Sequence, residues 1–523
     1  MSPMRSLFLA CPALIIGFLA CSSDGGDAAP PVPGGGASSG TPGSSGDDPT
    51  NPPIDDRTST DGGADAAPKP TYKHFDINHV LSTGASDSVA NGATPVITTA
   101  QTLGNLSFDV GVMTGRGRPN FPDRACDGTG CTRYETPADF KDLVEGDSFL
   151  GYGVETMSAG LANQASVFAN AWFPKAGLPA TGHTVLVSLH GRSGAEYWCL
   201  RKGDCYNTTA AADPVNGYIN PFDEAMRQVT SAKAIAMAKN KTYVVRAVTA
   251  IHGQGDSDDN ETMLRTLVMR TDGSGQLIGN YTNALIEWQR DYETEIRKIT
   301  GQTEPVPLFV SQFGSFTAYR TSIIPVRQLA AHVQAPGKVV VVTPNYPFDH
   351  ADDCNHYTNH GQRRLGAYFA KAYQRVVIEG GVWEPLRPLS ITREGTVLTV
   401  KYFVPVPPMV VDTTRVRALD VNPQHLGFTY EDSTTSAAIT GVELLPSGDT
   451  VRVTLSNAPT GANRKLRYAQ NMDPSNNNRC PGRLNGTRGN LRDSDATVSH
   501  HTDGAEKPYE LFNWAVQADL DVP

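Results

Sequence analysis

The sequence predicts a doubly wound α/β parallel sheet with helices on both faces, followed by a C-terminal β-sandwich. Three observations carry that expectation. Short β-branched runs bounded by turn residues recur between about residues 75 and 385, as buried parallel strands do. Between them, apolar residues fall on single helical faces. From about Leu386 the helical stripes stop, and alternating runs separated by Gly, Pro and Asn turns take over.

The predicted strands are NHVLST (78–83), TVLVSL (184–189), YVVRAVTAI (243–251), PLFVSQF (307–313) and KVVVVTP (338–344). One helical stripe joins Phe222, Ala225, Met226, Val229, Ala232 and Ala236. A second joins Tyr281, Leu285, Trp288, Tyr292, Ile296 and Ile299. A third, after the last strand, joins Leu365, Tyr368, Phe369, Ala372 and Val376. Strand and helix in alternation imply helices packed on both faces of one sheet. Runs such as TVLTVKYFV and DTVRVTLSNAP then mark the β-sandwich, so the folded chain divides at 71–385 and 386–523.

Ahead of these lies a segment of another kind. Arg5 followed by LFLACPALIIGFLA gives residues 1–20 the shape of a secretory signal, too short with these flanks for a membrane span. FLAC, ending at Cys21, resembles the lipobox of bacterial lipoproteins, which implies lipidation of Cys21. From there to residue 70 the chain is almost entirely Ser, Gly, Pro, Asp, Ala and Thr, a composition that cannot offset its ordering entropy and reads as a tether. The expectation is an exported protein anchored to the bacterial envelope, with a processed, secreted form as the alternative.

A net charge of −10 and the lack of any basic tract argue against nucleic acid as a partner. Of the 8 cysteines, Cys11 leaves with the signal and Cys21 goes to the lipid. The remaining six suit an oxidising compartment. Cys126 with Cys131 and Cys199 with Cys205 are placed to close small loops, and Cys354 is expected to pair with Cys480, tying the β-domain to the loop that carries Cys354. Zinc competes for these cysteines, but neither short spacing is CxxC and no histidine pair flanks them.

In an open α/β sheet the site lies beyond the carboxyl ends of the strands. Four polar, glycine-rich segments stand there: Gly84-Ala85-Ser86-Asp87, HGRSGAEYW (190–198), HGQGDSDDN (252–260) and NYPFDHADDCNHYTNHG (345–361). In the last, Asp353 and His356 are three apart. A serine nucleophile needs an imidazole base, and the imidazole needs a carboxylate to fix its tautomer, so one short turn supplies both partners for Ser86. The plainer readings are that Ser86 is a turn residue, that Asp353 caps the helix beginning near Thr358, or that Asp349, His350, Asp352 and His356 hold a metal. Ser193 in GRSGA is a rival nucleophile, one residue away from the GxSxG elbow; the tight Asp–His spacing favours Ser86.

Together GASD, GRSGA, QGDSD and DCNHYTNHG resemble the motif blocks of the SGNH hydrolases, most closely the carbohydrate O-acetylesterase branch that includes sialate O-acetylesterases and acetylxylan esterases. The resemblance covers roughly 75–385 and departs from the family pattern at Ala85, Asp87 and Asp256. It implies a flavodoxin-like sheet, a Ser86–His356–Asp353 triad and an acetylated glycan as substrate. It implies an oxyanion hole from the amides of Ser86 and Gly194 and the side chain of Gln254, with Gly191 or Gly111 as alternatives to Gly194. Neither metal nor organic cofactor is implied. Two other functions remain open: a glycan-binding protein on a decayed hydrolase scaffold, and a lipase or polymer esterase. Tyr197 and Trp198 either stack on a sugar or fill the core.

Overall fold

The computed structural model describes residues 72–114, 135–146, 153–203, 220–258, 260–314, 322–353, 355–470 and 482–523. The signal, Cys21 and the tether lie outside these residues. So do Cys126, Cys131, Cys205, Cys354 and Cys480; Cys199 is described and is disulfide-bonded.

Seven strands form the central sheet: β1 (Ile77–Gly84), β2 (Leu106–Phe108), β3 (Phe140–Asp142), β4 (Val185–Leu189), β5 (Tyr243–Ile251), β6 (Leu308–Gln312) and β7 (Val339–Pro344). Their order is β3-β2-β4-β1-β5-β6-β7. Every β1, β4, β6 and β7 position is buried, as strands covered on both faces must be. The sheet is mixed rather than wholly parallel. Edge strand β3 runs antiparallel to β2, pairing Leu106 with Asp142 and Phe108 with Phe140. These two strands are three residues each, too short to leave a periodic signal.

Helices cover both faces, and adjacent residues of β1 show the division. Val80 packs in a core with α1 (Met157–Trp172) and with the last long helix of the sheet layer, Asn359–Tyr373. Leu81 packs in the opposite core with α2 (Pro221–Ala238), α3 (Tyr281–Thr300) and α4 (Ile324–Gln334), so the last helix is α5. Helices α1 and α5 meet glycine to backbone: a Cβ on Gly160 would strike the Arg363 carbonyl, and one on Gly366 would strike the Met157 carbonyl and lie 2.5 Å from the Leu161 amide.

After Leu386 the chain forms antiparallel sheets. A four-stranded sheet has the order Ile439–Leu444, Thr450–Leu455, Val397–Phe403, Arg387–Glu394. A three-stranded sheet has the order Phe428–Glu431, Lys465–Tyr468, Ala518–Asp521. Leu398, Val400, Val451 and Val453 from the first sheet and Leu466 and Tyr468 from the second share one core.

The end of the chain is built into the α/β layers. Tyr509 and Leu511 belong to the α1/α5 core, and Val516 and Ala518 pack with Leu329 of α4 and Val341 of β7. Lys371 of α5 is buried, ion-paired to Asp495 at 2.8 Å and bonded to Asn513 and the Leu511 carbonyl. Gln312 of β6 exchanges hydrogen bonds with the Gln517 backbone, 2.9 and 2.7 Å.

Candidate functional site

The strand order reverses about β1, which is parallel to both neighbours: β4 and β2 lie to one side, β5 to β7 to the other. A crevice opens at such a switch point, beyond the strand carboxyl ends. All four motif segments leave the sheet there.

The first is held by glycine. At Gly84 (φ 137°) a Cβ would strike the Ile251 carbonyl, which accepts the Ala85 amide at 3.2 Å. The chain then turns into a 3₁₀-helix, Ser86–Val89, that begins at Ser86. Ser88 is a structural residue: its hydroxyl donates to the Ala85 carbonyl at 2.6 Å. Past the helix, Gly92 lies beside the fourth segment; a Cβ there would sit 3.5 Å from Asp353 Oδ2 and 3.8 Å from the His356 Cβ.

The second segment extends the pairing of β4 with β1, the His190 amide donating to Ser82 and the Arg192 amide to Gly84, each at 2.9 Å. Gly191 faces the 3₁₀-helix, where a Cβ would lie 2.8 Å from the Gly84 carbonyl oxygen and 3.1 Å from the Ser88 Cβ. The Arg192 guanidinium is buried in an ion pair with Glu224 of α2. Gly194 stands at the exposed tip of the turn with φ 71°. The Ser193 hydroxyl accepts a 2.8 Å bond from Asn91, in the loop after Ser86. The Gly111 amide donates to the Phe108 carbonyl at 2.9 Å, which removes it as an oxyanion donor. Tyr197 and Trp198 are core residues, not an open stacking surface.

The third segment is locked to the second. Asp256 Oδ2 accepts the Tyr197 amide at 2.9 Å, and His252 lies between the Tyr281 hydroxyl at 2.5 Å and the Ala195 carbonyl at 3.1 Å. Burial pushes the His252 imidazole down to about 4, so it stays neutral and structural. Gln254 reaches the fourth segment, its Nε2 donating to Asn355 Oδ1 at 2.5 Å.

The fourth segment is a short hairpin. His350 bridges antiparallel to Tyr357, the Ala351 amide donates to the His356 carbonyl at 2.7 Å, and the Thr358 amide to the Asp349 carbonyl at 3.2 Å. At its tip His356 Nδ1 and Asp353 Oδ2 are 2.6 Å apart. Asp353 Oδ1 accepts the amides of Asn355 (2.9 Å) and His356 (3.0 Å). Burial pushes the Asp353 carboxyl up, but these bonds from His356 and Asn355 outweigh it and hold the group below its ordinary value. The N-cap of α5 is Thr358, which accepts the Gly361 amide, so Asp353 is not the helix cap. Asp349 is ion-paired with Arg483 at 2.6 Å, and among the described residues no group of three or more His, Cys, Asp or Glu side chains is placed to hold a metal ion.

The Ser86 turn and the His356 hairpin are joined through their neighbours. Asp87 Oδ1 accepts the Tyr357 amide at 3.1 Å, and the Asp87 carbonyl accepts from Gln362 at 2.7 Å. Burial raises the Asp87 carboxyl to about 7, against the opposing pull of His356 and the Tyr357 amide. Ser86 itself makes no hydrogen bond to His356 among the described residues. His356 Nε2 is instead 3.3 Å from Asn355 Nδ2. Asn355 therefore links Gln254 to the imidazole, a role that sequence reasoning missed although the residue stands inside DCNH.

What fold and site define is an α/β protein with a carboxylate-oriented imidazole at its carboxyl-end crevice, an arrangement suited to proton transfer during ester hydrolysis. No family model and no curated protein sequence matches the chain. Among solved structures it is similar to one described as a novel carbohydrate acetylesterase from Xanthomonas citri, with 13% identity, TM-score 0.45, 85% of this chain and 80% of that chain covered. It is also similar to a protein from Arabidopsis thaliana, with 14% identity, TM-score 0.32, 57% of this chain and 98% of that chain covered. At these scores the likeness says nothing about chemistry, which rests on the geometry above.

Proposed function

We propose that the protein is a serine esterase that removes O-acetyl groups from a carbohydrate. The observation that carries this reading is the Asp353–His356 pair, 2.6 Å apart, on a hairpin tied through Asp87 to the turn that begins at Ser86. In the proposed reaction Ser86 Oγ attacks the acetyl carbonyl while His356 Nε2 takes the hydroxyl proton. The imidazolium, stabilised by Asp353, then passes that proton to the departing sugar oxygen, leaving acetyl-Ser86. Water, deprotonated by His356, cleaves this ester to acetate and free serine. The Ser86 and Gly194 amides and the Gln254 side chain would stabilise the oxyanion, which requires Gln254 to exchange Asn355 for the substrate oxygen. Export and anchoring through Cys21 would place the site outside the cell, facing acetylated glycans.

The test is release of chromophore from a chromogenic acetate ester by the wild type and by Ser86→Ala. Serine-dependent turnover is expected, with acetate preferred over long acyl chains. Absence of turnover at every pH leaves a binding protein, and preference for long chains makes it a lipase.

A further inference from the structure

Beside the catalytic hairpin, between the start of α5 and the C-terminal region, lies a cavity of about 690 Å³ lined by Asp349, Arg364, Arg415, Arg483 and Lys507 among others. That volume falls within the range of ligand pockets. Asp349 is four residues from Asp353, a distance the chain spans in at most ~14 Å, so an occupant would lie near the dyad.

In a chain of net charge −10 this wall is cationic: Arg364, Arg415, Arg483 and Lys507 outnumber the carboxylates of Asp349, Asp503 and Glu510. The pairing is uneven. Arg415 is held by both oxygens of Glu510, at 2.5 and 2.6 Å, and by Asp412. Arg483 meets Asp349 through Nε alone. Arg364 donates to the carbonyls of Pro347 and Glu510 and lies over the Phe348 and Tyr368 rings, and Lys507 makes no ion pair among the described residues. Arg364 and Lys507 thus lie near Glu510 and Asp503, whose carboxyls their charge helps hold below the ordinary value, without a direct ion pair to either, and a guanidinium presents donors in a fork that matches a carboxylate. The three acids lining the same cavity are acceptors for hydroxyl groups, and they oppose any ligand carrying more than one negative charge. Single negative charge together with several hydroxyls describes a uronic acid.

We propose that this cavity is a subsite for a glycuronate residue, recognised through its carboxylate by Arg364 and Lys507. The inference deepens the esterase reading, since it names the substrate as an acidic glycan, and it is tested by binding rather than turnover. The full chain is titrated calorimetrically with trigalacturonate and with its uncharged methyl ester. The acid is expected to bind at least about tenfold more tightly, with the preference fading as salt rises. Lys507→Glu should abolish the preference; Lys507 is exposed and makes no ion pair, so the fold is retained. Arg364→Gln is the second variant. Equal binding of acid and ester overturns the proposal, as does a preference that survives in both variants. If the preference behaves as expected while the chromogenic ester is not turned over, the subsite stands and the esterase reading falls.

Discussion

Replacing Asp87 by Asn removes a charge from a buried site while leaving an acceptor for the Tyr357 amide. In the unfolded chain this carboxyl titrates near 3.8, whereas in the fold burial raises it to about 7. Below about pH 4 both states are protonated and Asp87 costs nothing. Between about 4 and 7 the unfolded chain gives up its proton while the fold retains it, so the fold binds more protons and loses stability as pH rises. Above about 7 the full penalty stands. At ~1.36 kcal/mol per pKa unit, the rise corresponds to a loss on the order of 4 kcal/mol. Urea unfolding of wild type and Asp87→Asn at pH 4.5, 5.5, 6.5 and 8 measures it, since the difference in midpoint at equal slope reports stability alone. The variant should exceed the wild type by only about 1 kcal/mol at pH 4.5 and increasingly toward pH 8. A difference that stays flat across this range, or that favours the wild type at pH 8, refutes the argument that Asp87 is held protonated by burial.

Other outcomes follow from the site and the helix contact. Ser86→Ala should lower kcat on a chromogenic acetate by roughly 10³-fold or more, and Ser193→Ala by less than about tenfold; the opposite order would transfer the nucleophile to Ser193. His356→Ala should be more damaging than Asp353→Asn, because the asparagine still accepts the Asn355 and His356 amides; equal kcat in wild type and His356→Ala would remove the imidazole from the reaction. A chelator should leave turnover unchanged, and activity lost to chelation but restored by zinc would restore the metal reading. Gly160→Ala should destabilise the fold by about 1–3 kcal/mol in urea, because the new methyl meets the Arg363 carbonyl; an unchanged midpoint would mean that α1 and α5 slide apart freely.

What the sequence made legible follows from how each element meets its surroundings. Helices α2 and α3 have one apolar stripe and one wet face: Trp288 and Tyr292 are buried, while Arg290 and Arg297 are much more exposed. Helix α1 is buried along almost the whole of Met157 to Ser166, with glycine and alanine at the contact with α5, so it has no polar face to set a period. Helix α4 hides its stripe differently, by burying Arg327 against Glu261 and by turning Gln328 and His332 inward. In the site, Asp353 and His356 were readable because their pairing is local. Asn91 on Ser193, Asp256 on the Tyr197 amide and Asp87 on the Tyr357 amide join residues far apart in the chain, and no spacing announces such contacts.

The buried ammonium of Lys371 bears on how the molecule is made. Its α5 neighbours and every central strand are synthesised before residue 386, yet its partners Asp495, Leu511 and Asn513 come from the far end of the chain. Until those residues leave the ribosome, α5 would have to sink an unpaired cation, and β6 would lack the Gln517 backbone that Gln312 engages. The sheet layer therefore closes only after residues 495–517 have been made and have docked. A nascent chain stopped at residue 385 holds all the motif segments and still cannot complete the layer on which they stand. The same dependence makes residues 495–517 a fastening for the Asp353–His356 hairpin, which α5 follows directly.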